Sequence, residues 1–216
     1  MQTREIQRKP AVGRLMAAAK FMIASALMCV WASVAVAQTA NMSAVEAAEQ
    51  SVNQLLQRVE QLRPYFNSDS ERYYAGIEEE ISKFVDFREV AIGVMERYSK
   101  QATDAQIEAF GEKLRTTLTR FYGSALVEYG GQQLTFLPSR GESADADAAT
   151  NVRMQIASEG SRIELQYALF RNADREWKLR NLFVGGINLR RQYHTQFAAL
   201  MSRNNNDIDR VIQAWQ

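Results

Sequence analysis

Midway along this chain the apolar residues change their repeat, from every third or fourth position to every second, and this switch limits the fold more than any other feature. In the first half, Val45, Ala48, Val52, Leu55, Val59 and Leu62 form one helical stripe. Ile107, Phe110, Leu114, Leu118, Phe121, Ala125 and Tyr129 form another. Beyond Gln132 the pattern alternates. Val152, Met154 and Ile156 are interleaved with Arg153 and Gln155, and Ile163, Leu165, Tyr167 and Leu169 with Glu164 and Gln166. Trp177, Leu179 and Phe183 are interleaved with Lys178, Arg180 and Leu182. Strict alternation puts one apolar face on each strand, as in an antiparallel meander with one side packed. Helices set before and after such a meander predict an α+β fold.

The punctuation supports this division. Ser43-Ala44-Val45-Glu46 has the capping-box form at a helix start, and Pro64 ends that helix. A second helix is expected from about Asp69 to Ser82, and a third carries Phe84, Phe87, Ala91, Val94 and Tyr98 on one face. Thr103 or Asp104 caps a long fourth helix that Gly130-Gly131 stops. Gln132 to Leu137 reads as a strand, and the polar stretch Ser139 to Ala149 as a mobile loop. Glu159-Gly160 and Asn172-Ala173-Asp174 are turn signals, and Gly185-Gly186 breaks the last strand. Helices from about Ile187 to Arg203 and from Asp207 onward close the chain. The expected organisation is a helical part at about 43–130, a sheet at about 132–184 and C-terminal helices at about 187–215.

The N-terminus addresses location. Arg4, Arg8, Lys9, Arg14 and Lys20 precede an apolar run from Phe21 to Ala37, which ends Ala35-Val36-Ala37. A basic region, an apolar region and an A-x-A site make a cleavable export signal over residues 1–37. Cys29 follows Ala26-Leu27-Met28, without the small residue that lipidation requires, so a lipoprotein is not expected. Of the chain's 26 Lys+Arg and 25 Asp+Glu, cleavage removes five basic residues and one acidic, leaving 179 residues at net charge −3. That balance gives no footprint for nucleic acid. The only cysteine leaves with the signal, which excludes disulfides and thiolate zinc sites from residues 38–216.

Little in the mature chain carries catalytic chemistry. His194 is the only histidine, with no nucleophile motif beside it, and suits a surface or capping role. Glu78-Glu79-Glu80 point around a helix rather than converging. Asp145 and Asp147 lack the closing glutamate of a calcium loop. The glycine pairs lack phosphate-loop spacing. Gly185-Gly186 is either a turn that needs positive φ or a gap left for a ligand or a partner's backbone. Arg180, Arg190 and Arg191 are either solvated or meet a phosphate or an acidic partner. The remaining signal is apolar. Periodicity alone does not separate a filled core from a lined cavity.

Three blocks carry a family likeness. They are Phe84-Val85-Asp86-Phe87 through Tyr98; Ser99-Lys100-Gln101-Ala102-Thr103-Asp104-Ala105-Gln106 through Phe121-Tyr122-Gly123-Ser124-Ala125-Leu126 and Tyr129; and Trp177-Lys178-Leu179 through Val184-Gly185-Gly186-Ile187-Asn188-Leu189, Tyr193 and Gln196-Phe197. In these blocks and in element order the chain resembles the periplasmic phospholipid-binding proteins of the Mla system, also called toluene-tolerance auxiliary proteins of ABC transporters. It departs at Asn181, where relatives often carry an acid, and at Gly185, where they often carry glutamate. The resemblance implies a curved sheet of the nuclear-transport-factor-2-like type with added helices, enclosing an apolar pocket. It also implies a shuttle for phospholipid, or for a hopanoid in some branches, with no cofactor. The implied partners are an inner-membrane ABC transporter complex with a lipid-binding ring and an outer-membrane lipoprotein complex. Inward sheet positions and facing helices then suggest the pocket residues Val152, Met154, Ile163, Leu165, Trp177, Leu179, Phe87, Phe121 and Leu126. Two rivals stay open: a periplasmic chaperone or adaptor for apolar segments, and an isomerase-like enzyme on the same sheet. The enzyme needs a buried acid in the cavity, and no inward position in this register carries one.

Overall fold

The structure, a computed structural model, describes residues 42–137, 149–158 and 160–216. The expected export signal, the stretch from Pro138 to Ala148 with Asp145 and Asp147, and Glu159 of the first hairpin turn lie outside the described residues. Ser43–Gln216 forms one compact unit.

Helix α1 (Ala44–Leu62) starts on the expected capping box: the Ser43 hydroxyl accepts from the Glu46 amide, and the Glu46 carboxylate accepts from the Ser43 amide at 2.9 Å. Two orphan amides of the first turn are thereby satisfied. A short α2 (Tyr65–Ser68) follows Pro64, then α3 (Ser70–Phe84), capped by Asp69. The expected third helix is interrupted. Phe84 ends α3, α4 spans Phe87–Met95, and the chain tightens into a 3₁₀ turn over Glu96–Lys100. Glu96 sits at φ +48, which stops α4 at Met95. The His194 ring donates Nδ1–H to the Val94 carbonyl at 2.8 Å, so the only histidine satisfies a carbonyl at this helix end.

Helix α5 (Asp104–Leu126) begins on a second capping box, Thr103 with Gln106. It ends before Tyr129 and the glycine pair, where the stripe extended it. Past Leu126 the bonds shorten to three residues, the Glu128 amide to the Ala125 carbonyl and the Tyr129 amide to the Leu126 carbonyl, and the Arg63 guanidinium donates to the freed carbonyls of Val127 and Tyr129.

The sheet runs β1 (Gln133–Leu137), β2 (Thr150–Ser158), β3 (Ser161–Arg171), β4 (Trp177–Val184) and β5 (Ile187–Asn188), each antiparallel to the next in sequence order. Gly185 and Gly186 lie at φ +55 and +85 and make the tight turn into β5. A Cβ at either would meet nothing within 4 Å, so backbone conformation and not space requires these glycines. The register slips at one point. Ala168 faces Asn181 and Leu169 faces Leu179, leaving Arg180 as the extra residue of a β-bulge. The bulge reverses the faces beyond it. Leu182, opposite Tyr167, shares the inner face, and Phe183, opposite Gln166, does not, which corrects the strict alternation expected along β4. Helices α6 (Leu189–Arg203) and α7 (Ile208–Ala214) complete the chain.

Three apolar clusters result. One joins α4, α5, α6 and α7 around Phe110, Phe197 and Trp215. One joins α1 to the sheet, and one joins the end of α1 to α3 around Tyr73 and Ile77. The three glutamates of α3 diverge to separate cations: Glu78 to Arg115, Glu79 to Arg58 and Glu80 to Lys83.

Candidate functional site

Antiparallel registry builds the inner face of the sheet in rows. Residues directly opposite one another share a face, so each register triplet is a row of side chains. Val152, Tyr167 and Leu182 form one row. Phe136, Met154, Leu165 and Val184 form the next, and Leu134, Ile156 and Ile163 a third. Past the bulge, Leu169 lies opposite Leu179. The middle of this face is dry: Val152 and Leu169 are 0% exposed and Met154 2%.

What covers the face is helix α1. Its first half presents Ala44, Val45, Ala48 and Val52, at helical spacing on one side, and the end of α3 adds Phe84 with Val85. The part of the cover that α1 supplies is made of small side chains, Phe84 is the one large group beside it, and most of the face beneath is large. The Ser43–Glu46 capping box fixes the start of this half-helix, and Glu46 is the one acid of its first turn. The hydrogen bonds from Ser43 hold the Glu46 carboxyl below the ordinary carboxylate range.

Five of the nine residues expected at the pocket meet in this cluster: Val152, Met154, Leu165, Trp177 and Leu179. Ile163 belongs to the same face by register but lies at the hairpin end and is 45% exposed. Phe87 packs against the helical cluster around Phe110, and Leu126 against the one around Tyr73. Phe121 is 69% exposed, with its ring set edge-on to Tyr122. It follows Leu114 by two turns on the same stripe, and the helices that bury Leu114 no longer cover α5 there. Residues of the face that the expectation did not include are Tyr167, Leu169 and Leu182. Alternation alone signals the first two; the bulge at Arg180 hides the third.

A cleft elsewhere is of another kind. A cleft of about 290 Å³ between α4 and α5 is lined by Phe87, Arg88, Glu108, Glu112, Arg115 and Lys178. Its charges are matched: Arg88 pairs with Asp104 and Glu108, and Arg115 with Glu78 and Glu112. Hydrocarbon placed there would displace water from charged groups and gain little.

Asn181 is a buried polar residue of the sheet. Its Oδ1 accepts from the Arg190 amide at 3.1 Å, and its Nδ2 donates to Asn188 Oδ1, which accepts from the Arg191 amide. An amide both donates and accepts here and so ties β4 to the first turn of α6, a double task that a carboxylate lacks the donor to perform. Among the described residues no group of three His, Cys, Asp or Glu side chains is placed to hold a metal, and no helix is long and apolar enough to cross a membrane.

Comparison with known proteins agrees with this architecture. The solved phospholipid-binding protein from Ralstonia solanacearum, in complex with a phospholipid, superposes with a TM-score of 0.71. At 22% identity it covers 81% of this chain and 95% of its own, and so establishes the fold. Toluene tolerance protein ttg2D of Pseudomonas putida is 31% identical over 172 residues, covering 79% of this chain and 78% of that protein. The family described as MlaC protein matches residues 49–216. With that span and that identity, the chain belongs to the MlaC family.

Proposed function

We propose that this protein is a periplasmic lipid carrier and not an enzyme, holding the acyl chains of a phospholipid, or of a related lipid such as a hopanoid, between the inner face of the sheet and helix α1. It takes lipid from one membrane complex and yields it to another. The partners are an inner-membrane ABC transporter complex with a lipid-binding ring and an outer-membrane lipoprotein complex. Residues 1–37 direct export and are removed. Family membership supports lipid handling, and the Ralstonia protein of the same fold is described with a phospholipid bound.

The observation that carries this reading is the mismatch across one layer. The sheet contributes Met154, Leu165, Tyr167, Leu169 and Leu182, while α1 contributes two alanines and two valines. A layer closed on one side by small residues loses little contact when its halves separate. The physical task demands such a layer. Each methylene moved from apolar surroundings into water costs about 0.8 kcal/mol, so a diacyl lipid with roughly thirty methylenes meets a barrier of the order of 20 kcal/mol. A carrier replaces bilayer with dry protein. It must hold the lipid about as well as the bilayer does, because a tighter site never unloads. Docking to a membrane complex then shifts the population between closed and open layers. The charged headgroup stays in water, where its solvation is kept.

Native mass spectrometry of the purified protein tests this. Lipid is expected to co-purify, and protein stripped of it is expected to reload from phospholipid vesicles. Repeated lipid-free preparations that take up nothing contradict the reading. Leu165→Arg places a charge on the inner face and is expected to abolish lipid retention while export persists.

A further inference from the structure

Among the described residues three tyrosines are buried: Tyr73, Tyr98 and Tyr167. Two have conventional partners for their hydroxyls. Tyr73 donates to the Gly123 carbonyl at 2.8 Å, and the Tyr98 oxygen accepts from Arg97 Nη2 at 2.9 Å. Among the described residues Tyr167 has only the Met154 sulfur, at 4.0 Å. A thioether is a weak acceptor, so this phenol has a donor and two lone pairs with almost nothing to satisfy them. A buried hydroxyl in that state is unfavourable, because the hydrogen bonds it gave up to water are not replaced. Phenylalanine would fill the same space without that penalty.

The position of Tyr167 gives the hydroxyl a use. The residue stands in the central row of the inner face, between Val152 and Leu182, both contributed by neighbouring strands. Its ring projects into the layer that α1 closes. Burial pushes its ionisation far above the ordinary phenol range, so it remains a donor throughout physiological pH. A ligand entering this layer from the side of α1 meets one polar hydrogen among apolar side chains. That hydrogen selects a neutral acceptor, because an anion such as phosphate would lose its hydration in apolar surroundings without a countercharge. On an acyl lipid the neutral acceptor at the head of each chain is the ester carbonyl.

We propose that Tyr167 is a specificity-determining residue whose hydroxyl donates a hydrogen bond to an ester carbonyl oxygen of the bound lipid, so that the protein distinguishes acyl esters from alkyl ethers of the same length. The inference rests on the carrier reading and adds to it a chemical preference within the same layer.

The test offers the purified protein equal amounts of phosphatidylglycerol with two ester-linked chains and of its dialkyl ether counterpart, alike in headgroup and chain length, in one vesicle preparation. Native mass spectrometry counts each bound species. Wild type is expected to favour the ester by about tenfold, the worth of one buried hydrogen bond. Tyr167→Phe is expected to take both lipids equally and to melt at or above the wild-type temperature, since it removes an unsatisfied group. Equal uptake of ester and ether by wild type overturns the inference and leaves the carrier reading standing. So does an ester preference that survives in Tyr167→Phe, or a variant that melts well below wild type, which would reveal a structural partner for the hydroxyl. Uptake of neither lipid overturns the carrier reading and this inference together.

Discussion

Two buried regions of this molecule are built on opposite plans. The cluster of α4, α5, α6 and α7 is held by interlocked rings: Phe110 lies 4.9 Å from Phe197 and 5.0 Å from Trp215, centroid to centroid. Both of its sides supply large groups, and Met95, Leu114 and Met201 fill the remainder. In the layer between α1 and the sheet, α1 supplies only alanines and valines, and the large groups come from the sheet and from Phe84 at the end of α3. A packed block resists every displacement, because each ring has partners all around it. A layer closed by alanine and valine separates at lower cost. On the proposed reading, the first region is the frame and the second is the layer that opens.

The largest expected effect lies in the frame. Phe110→Ala removes a ring that is 0% exposed and in contact with two others, and should cost about 3–5 kcal/mol. A denaturant midpoint close to wild type would deny the block its status. The sharpest comparison uses two alanines that are both fully buried, Ala91 in the frame and Ala48 on α1. Ala91→Leu should cost about 1–3 kcal/mol by overpacking. Ala48→Leu should cost clearly less, because α1 moves outward over the sheet. Equal costs in parallel urea titrations would erase the distinction between the regions. A smaller effect is expected at the start of α1, where Ser43→Ala removes the cap and should cost about 1 kcal/mol, read as faster amide exchange in the first turn of that helix.

The smallest effect is pH dependence. Glu46 is held below its reference value of 4.5 by Ser43, so the folded state favours its charged form. Its contribution is present above pH 4.5 and is lost as the pH falls through the lower folded value. The protection factors of the Ala47 and Ala48 amides, with the intrinsic exchange rate at each pH divided out, should therefore fall on acidification below 4.5, and Glu46→Gln should remove the dependence. Unchanged protection factors in the wild type across that range would show that the capping box does not hold the cover.

Much of this was legible from residue order, for reasons that can be named. Capping boxes at Ser43 and Thr103 are local, and the structure contains both. The alternation in β2 and β3 follows from the pleat, and five of the nine expected pocket residues meet on one face because of it. Local rules failed where tertiary contacts decided the outcome. The bulge at Arg180 leaves no mark in the composition of β4, yet it exchanges the faces of Leu182 and Phe183. The stripe on α5 continues to Phe121 past the point where neighbouring helices cover it. The carbonyls just past the end of α5, those of Val127 and Tyr129, are satisfied by a guanidinium at Arg63, more than sixty residues earlier. Tyr167 was visible as an inward residue, but its unsatisfied hydroxyl appears only when its neighbours are known.

The most direct test of the account is to find where the chains lie. A phospholipid with a photoreactive group midway along one acyl chain, loaded into the protein and irradiated, marks its neighbours for peptide mass spectrometry. The account predicts labels on Met154, Leu165, Leu182 and the Ala44–Val52 half of α1, with the cluster around Phe110 unmarked. Labels concentrated in that helical block, or on the outer face at Gln166 and Phe183, would contradict it.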